Sequence, residues 1–227
     1  MMAVMPPSIR LPNVLRAPVF AIALVLAGHA RAAAEAQEIP LFPLPEVVLF
    51  PGVDRPLIIY EPRYREMVGD ALKGDRTIGM VLLRPGFEKD YDGRPPIYAV
   101  GCAGRIVESE QLPDGRYIIL LRGVTTFRVL SEDQRKPYRL ARVETIPDAI
   151  KSEDLAALSA LRERLAKLLV LVLPADVDPP DPAMSDADFV NVVAQALPMP
   201  EADRQELLER DSALVRARML VERLERK

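Results

Sequence analysis

Residues 39–64 read IPLFPLPEVVLFPGVDRPLIIYEPRY, a stretch that combines apolar runs with six prolines. Proline has no N–H group to donate to a strand ladder, so residues 39–45 are predicted to form an extended or edge segment and not a central strand. Residues 47–50 are predicted to form a short apolar strand that ends at the turn dipeptide of Pro51 and Gly52. The stretch therefore places β structure at the start of the folded region.

The spacing of apolar residues changes after a further strand, which is predicted at 55–60. Pro62 occupies the first position of a helix, where proline is tolerated, and Glu61 precedes it near the positive end of the helix dipole. Apolar side chains then recur at intervals of three and four residues, which places on one buried face Tyr64, Met67, Val68, Ala71 and Leu72. Gly74 stands where a C-terminal cap belongs, so one helix is predicted within the β region.

The strand pattern returns after this helix. Five more strands are predicted, at 77–83, 97–110, 116–122, 126–131 and 138–145. A long exposed loop rich in proline and glycine, residues 84–96, separates the first two, and a turn at 113–115 joins the next pair as a hairpin. Gly101 and Gly104 lie inside one strand and indicate a bulge or a tight bend, as in a small closed barrel.

A helical pattern begins at Ser152 and continues towards the end of the sequence. Ser152 is predicted to cap the first helix, whose apolar stripe comprises Leu155, Leu158, Leu161, Leu165, Leu168, Leu169 and Val172. A connector rich in proline and aspartate follows at 175–183, and Ser185 is predicted to cap a second helix. Two prolines end that helix, and a third helix is predicted over 201–227.

The first 38 residues differ from the rest. An uncharged apolar run at 17–28 follows two arginines and precedes several small residues, an arrangement typical of a secretory signal peptide. The run is too short to span a bilayer, which takes about 20 apolar residues. Export to the periplasm is therefore predicted, and the alternative is a disordered tail on a cytoplasmic protein. The remaining sequence is divided into a β domain at 39–147 with net charge +1 and a helical part at 148–227 with net charge −5.

Scarce residues exclude several chemistries. His29 is the only histidine and Cys102 the only cysteine of the 227 residues, which excludes an intramolecular disulfide and a structural zinc site. Cys102 alternates with apolar residues and is predicted to be a buried core thiol. The sequence contains no phosphate-loop motif and no serine framed by the glycines of an exposed nucleophile turn. We therefore predict no catalytic, cofactor or metal site, and the net charge of −3 disfavours nucleic acid as a partner.

The opening stretch resembles the start of the Lon protease N-terminal, or substrate-binding, domain. The resemblance is carried by 39–52 and 55–64, and it continues at the family's central hairpin in 100–106, 112–117 and 123–129. It implies an α+β fold in which a PUA-like β pseudo-barrel with one inserted helix is followed by a C-terminal helical bundle. It also implies a binding module without the ATP-driven motor and Ser-Lys peptidase that follow it in the full protease. The family-motif residues interpreted as structural are Pro51, Gly52, Glu61, Pro62, Arg63 and Tyr64.

The leading hypothesis is a non-catalytic module that binds polypeptide clients or a partner protein. Its predicted surface comprises Phe42, Leu44 and Phe50 beside the loop at 84–96, and the alternative for each of these three residues is burial in the β domain. Edge strands that contain proline leave selected backbone groups available for strand addition. Two further alternatives are an RNA-binding PUA-like module and an accessory or regulatory protein associated with a peptidase.

Export predicts a defined mature N-terminus. Cleavage after Ala32 or Ala34 satisfies the preference of signal peptidases for small residues, so the mature chain is expected to begin at Ala33 or Glu35. Mass spectrometry of the protein purified from its native host measures this terminus directly. An intact N-terminus at Met1 or Met2 would contradict export.

Overall fold

The computed structural model describes residues 36–91, 93–172 and 180–226. Within these residues, six strands form one sheet. The strands are β1 (Gln37–Leu44), β2 (Asp54–Ile59), β3 (Thr77–Leu82), β4 (Val100–Gln111), β5 (Tyr117–Asp133) and β6 (Arg139–Ile146). Their order is β2-β5-β4-β3-β1-β6, and a further pairing between β5 and β6 closes five of them into a ring. The predicted signal segment and most of the predicted connector at 175–183 lie outside the described residues.

One long strand, β5, makes this closure possible. It has 17 residues, and β4 pairs along one side of it. On the other side, residues 117–122 pair with β2 and residues 126–133 pair with β6. The prediction of two separate strands here is wrong, because β4 keeps the backbone extended through Gly123. The predicted irregularity of β4 is confirmed as a register shift between Ala103 and Gly104.

The prediction for residues 39–45 is wrong, because β1 is an internal strand of the sheet. It pairs with β6 antiparallel over residues 37–41 and with β3 parallel over residues 41–44. Pro40 therefore lies in the half of β1 that pairs with β6, and Pro43 in the half that pairs with β3. Each proline needs to satisfy only one ladder, so the absent N–H groups do not prevent β1 from lying between two strands.

Residues 47–50 do not form the predicted strand. They are irregular, yet Val48, Leu49 and Phe50 are buried in the core. A short apolar run has the same composition whether it is a buried strand or a buried loop, which is why the pattern did not distinguish the two. The turn at Pro51 and Gly52 is confirmed by the positive φ of Gly52, 77°.

The helix between β2 and β3 agrees closely with the sequence. Helix α1 spans Pro62–Lys73, with Glu61 at the N-cap, Gly74 at the C-cap and its apolar face against the sheet. The helical part contains α2 (Leu155–Val172), α3 (Asp186–Ala196), α4 (Glu201–Leu208) and α5 (Ala213–Glu225). These elements confirm the predicted α+β class.

Three details of the helical part correct the predictions. The single third helix is two helices, because the chain breaks after Leu208 and restarts at Ser212, whose Oγ accepts a hydrogen bond from Val215 N–H. Ser152 is not a cap, since it lies within a short 3-10 turn that precedes α2. At the ends of the predicted stripe, Leu155 and Val172 are exposed, and the buried residues of α2 are Leu158, Leu165 and Leu169.

The β and helical parts share one core. A single cluster of buried apolar residues includes members of the strands and of all five helices, and the boundary predicted at 147/148 falls in the irregular segment after β6. Asp148, directly after the β part, is held against α5. Its carboxylate accepts a hydrogen bond from Ala213 N–H at 2.9 Å, at the start of α5, and forms an ion pair with the buried guanidinium of Arg216.

Cys102 is the buried thiol that the sequence predicts. It has no exposed surface, and burial raises the pKa of its thiol to about 12. The thiolate is the reactive form of cysteine, so this environment keeps Cys102 inert.

The ion pair between Asp148 and Arg216 is expected to be a large contributor to stability. In Asp148→Asn the amide oxygen still accepts from the N-terminus of α5, but the buried guanidinium loses its counter-charge, which should lower the free energy of unfolding by about 3 kcal/mol. Glu222→Gln removes an exposed i,i+4 partner of Arg226 and is expected to cost less than about 0.5 kcal/mol. Urea unfolding followed by circular dichroism compares the two variants. Equal, small losses would show that the buried pair is not a large contributor to stability.

Cys102 should react only when the protein unfolds. Its raised pKa alone lowers the thiolate fraction at neutral pH more than about a hundredfold relative to an ordinary thiol. Labelling with Ellman's reagent is therefore expected to be slow in buffer and fast in concentrated guanidinium chloride. Rapid stoichiometric labelling of the native protein would contradict the burial of this side chain.

Candidate functional site

A small apolar cleft lies where β2 ends and α1 begins. Its volume is about 100 Å³, far more than a single water molecule requires. The residues that line it are Phe42, Leu44, Leu57, Ile58, Ile59, Tyr60, Glu61, Tyr64 and Tyr91. The cleft is therefore built from the ends of β1 and β2, the first turn of α1 and the loop after β3.

Three aromatic rings form the wall of the cleft. The centroids of Phe42 and Tyr64 are 4.6 Å apart with the rings tilted by 59°, and those of Tyr64 and Tyr91 are 6.5 Å apart with a tilt of 54°. The guanidinium of Arg63 lies 4.6 Å from the ring centre of Tyr64 and 5.0 Å from that of Tyr91. This tilted stacking and the cation–π contacts fix the wall before any ligand arrives.

The polar groups at the cleft are paired with one another. Arg63 Nε donates to a carboxylate oxygen of Glu61 at 2.9 Å, and Arg63 Nη2 donates to the backbone carbonyl of Tyr91 at 3.0 Å. Burial is the main cause that raises the pKa of both the Tyr64 and the Tyr91 phenols. Both phenols therefore stay neutral, and the cleft presents an apolar wall with its one ion pair already satisfied.

Exposed apolar side chains lie close to the cleft at the end of β2. Ile58, near the end of β2, is 59% exposed, and Tyr60, directly after β2, is 65% exposed. Ile118 of β5 is directly opposite Ile58 in the ladder and is 40% exposed. A pair of neighbouring exposed isoleucines on a strand is a feature of interaction surfaces, because water-facing strand positions are normally polar.

The structure brings together two of the three predicted surface residues. Phe42 and Leu44 both line the cleft, although Phe42 is only 5% exposed. Phe50 does not belong to this surface, because it has no exposed area and packs in the core beneath Gly123. The sequence analysis missed Ile58, Tyr91 and Ile118, of which Ile58 carries a detectable signal as an apolar residue at an outward position of an edge strand.

The six family-motif residues lie in the turn before β2 and at the start of α1. Pro51 accepts a hydrogen bond on its carbonyl oxygen from Asn191 Nδ2 at 3.0 Å, and Gly52 occupies the left-handed turn before β2. Glu61 and Pro62 start α1. Arg63 and Tyr64 follow them on α1 and contribute to the cleft as described above.

A second, more polar cavity lies on the other side of Tyr64. Its volume is about 260 Å³, and its lining includes the side chains of Arg94, Tyr138 and Arg139. Arg139 is buried and pairs with Glu132 at 2.9 Å, while Arg94 donates to two backbone carbonyls. These cations thus already have protein partners.

A metal-holding cluster and a membrane-spanning helix are both absent from the described residues. Within residues 36–91, 93–172 and 180–226, no three His, Cys, Asp or Glu side chains are placed to hold a metal ion. Among the helices of the same ranges, none combines the length and the apolar character needed to cross a bilayer.

Known proteins resemble this chain over nearly all of the described residues. The Lon protease 2 of Myxococcus xanthus is 28% identical over 197 residues, which cover 84% of this chain and 24% of that protein. This chain therefore spans about a quarter of the length of such relatives.

Two solved structures share the fold. The crystal structure of a Lon N-terminal domain protein from Xanthomonas campestris has a TM-score of 0.60 and 27% identity, covering 82% of this chain and 98% of the other. The N-terminal domain of a Mycobacterium avium complex Lon protease has a TM-score of 0.64 and 15% identity, covering 83% and 98% respectively, and shows the likeness of the fold.

The sequence model of the substrate-binding domain of ATP-dependent protease La (LON) matches residues 38–226, a range that contains every element of the fold and the whole cleft. The chain belongs to this family of Lon substrate-binding domains.

Proposed function

We propose that this chain is a non-catalytic module that binds unfolded polypeptide segments, and that the cleft beside Tyr64 takes an apolar side chain of the client. The observation that carries the proposal is the preformed apolar cleft, with the exposed pair of Ile58 and Ile118 close to it at the end of β2, on a domain of the substrate-binding family. Folded proteins bury most of their large apolar side chains, so an exposed apolar side chain distinguishes an unfolded client from a folded one.

The cleft suits one medium-sized apolar side chain. Full burial of such a side chain contributes about 1.5–3 kcal/mol, which by itself corresponds to weak binding. Because Arg63 and Glu61 are already paired with each other, a bound apolar group leaves neither of these charges without a partner. The cleft therefore supports transient, sequence-tolerant binding, which suits a module that must release its clients.

The location of the clients follows from the signal segment. If residues 1–34 direct export, the clients are unfolded proteins of the periplasm, and any peptidase that acts on them is a separate partner there. In the cytoplasmic alternative, the same cleft serves a cytoplasmic protease. The chemistry of the cleft is the same in both compartments.

A charge placed in the cleft should abolish client binding. In Leu57→Glu a carboxylate replaces a half-buried wall residue, and the dissociation constant for fluorescein-labelled, reduced and alkylated lysozyme is expected to rise at least about tenfold, or 1.4 kcal/mol. Fluorescence anisotropy measures this change, and a thermal melt confirms that the variant is folded.

Leu130→Glu is the matched control, because Leu130 is an exposed leucine of β5 that does not line the cleft. It should bind the unfolded probe as the unsubstituted protein does. Equal binding by Leu57→Glu and the unsubstituted protein, or an equal loss in both variants, would contradict the assignment of the cleft.

A further inference from the structure

We propose that the outer edge of β2 accepts an extended client segment as an additional strand, through main-chain hydrogen bonds. This inference rests on the proposed function and specifies how the client is held. Within the part of the chain that the structure describes, β2 pairs only with β5 and forms the open end of the strand order, outside the closed ring. The free edge is thus a template for strand addition beside the apolar cleft.

The hydrogen bonds at the start of β2 show which backbone groups face outwards. Gly123 N–H donates to the carbonyl of Val53 at 2.8 Å, and Gly52 N–H donates to the carbonyl of Gly123 at 2.9 Å. The carbonyl of Val53 therefore points towards β5. Because successive residues of a strand direct their backbone groups to opposite sides, Arg55, Leu57 and Ile59 also face β5.

The outward-facing residues are Asp54, Pro56 and Ile58. The backbone of Pro56 faces away from β5, so the N–H group that proline lacks removes no hydrogen bond from the ladder to β5. The outer edge consequently offers the carbonyls of these three residues and the N–H groups of Asp54 and Ile58. These groups suffice to hold a segment of about five residues, because strand residues alternate in the side to which they bond.

The side chains of β2 define what an added strand meets. Ile58 lies on one face of the sheet next to Ile118, and Leu57 and Ile59 lie on the other face, where they line the cleft. An added strand also alternates its side chains between these faces. The preferred client is therefore an extended segment with at least one apolar side chain directed into the cleft and another beside Ile58.

Charged groups near this edge are already engaged. Asp54 receives two hydrogen bonds of 2.6 Å from Arg122, and this contact lowers the pKa of the Asp54 carboxyl. Glu61 pairs with Arg63 at the other end. Neither carboxylate is thus left unpaired to select a cationic client, and the selection falls on apolar character and on an extended, unpaired backbone.

A second copy of this chain pairs with the outer edge of β2 less well than a client segment does. If two β2 edges paired antiparallel about Pro56, each proline would face the other, and both hydrogen bonds of the central pair would be absent. A client segment without proline loses only the one bond that Pro56 cannot donate. Pro56 and the bulge at Gly52 and Val53 therefore limit self-association while leaving the edge open to a short segment.

Peptides with blocked amides test this inference. The probe is a fluorescein-labelled nine-residue peptide with valine at two consecutive central positions and threonine elsewhere, so that an added strand has one valine on each face of the sheet. Methylation of two consecutive central amide nitrogens removes donors on both edges of its strand and is expected to weaken binding at least tenfold. The same peptide methylated at its two terminal residues is the control and should bind within about threefold of the parent.

Substitution of Ile58 tests the protein side of the same contact. Ile58→Pro and Ile58→Ala both remove the exposed isoleucine side chain, but only proline removes the outward N–H. The proline variant is expected to bind the parent peptide at least threefold more weakly than the alanine variant. Because residue 58 faces outwards as Pro56 does, proline there leaves the ladder to β5 intact, and thermal melts of both variants check this.

Amide hydrogen exchange separates strand addition from binding in the cleft alone. In the free protein the amide of Ile58 should exchange faster than those of Leu57 and Ile59, and saturation with the parent peptide should slow its exchange at least tenfold. Strand addition is overturned if the parent peptide saturates the protein without slowing exchange of the Ile58 amide and the centrally methylated peptide binds as tightly as the parent. Binding of an apolar side chain in the cleft would then be supported without strand addition. If the parent peptide and the unfolded lysozyme probe both fail to bind, the proposed function and this inference are both overturned.

Discussion

The close approach of Gly123 to residues 50 and 51 is the constraint on which the functional surface depends. A Cβ atom on Gly123 would lie 2.0 Å from the carbonyl oxygen of Phe50, and the next nearest atoms also belong to the backbone, so a side chain could not be accommodated by a rotamer change. The absence of a side chain allows the buried segment at 47–50 to cross beneath β5. The same contact sets the bulge at Gly52 and Val53, and this bulge determines which backbone groups of β2 face β5 and which face outwards.

Proline placement explains both the success and the failure of the sequence analysis. The pattern predicted α1 well, because Pro62 and Gly74 mark its two ends and its apolar spacing is regular. It misplaced β1, because a proline argues against an internal strand only where that residue would have a partner strand on both sides. In β1 the two ladders are offset, so Pro40 and Pro43 each fall beside a single partner strand. The true edge strand is β2, where Pro56 is the only proline.

The functional surface was harder to predict than the fold, because its members come together only through tertiary packing. Phe42 and Leu44 were predicted as part of an apolar surface beside the loop at 84–96, but Tyr91 lies in that loop, whose composition indicates only exposure. Ile118 becomes an exposed apolar residue only through its register opposite Ile58, and a local pattern does not reveal the register between β2 and β5. Phe50 was assigned to the same surface because burial depends on the path of the chain beneath β5, which the apolar run does not encode.

In the proposed binding mode, the combination of an apolar cleft with a free strand edge resolves a conflict in the recognition of unfolded chains. Such a module has to accept many sequences, so it cannot depend on specific side-chain hydrogen bonds, yet it has to reject folded proteins. Main-chain pairing at β2 is indifferent to sequence and requires only that the segment be extended and unpaired. The cleft adds a requirement for an apolar side chain, which folded proteins bury. Together the two contacts require an extended, unpaired backbone and an exposed apolar side chain, which only an unfolded segment offers. Because each contact alone is weak, the complex dissociates easily.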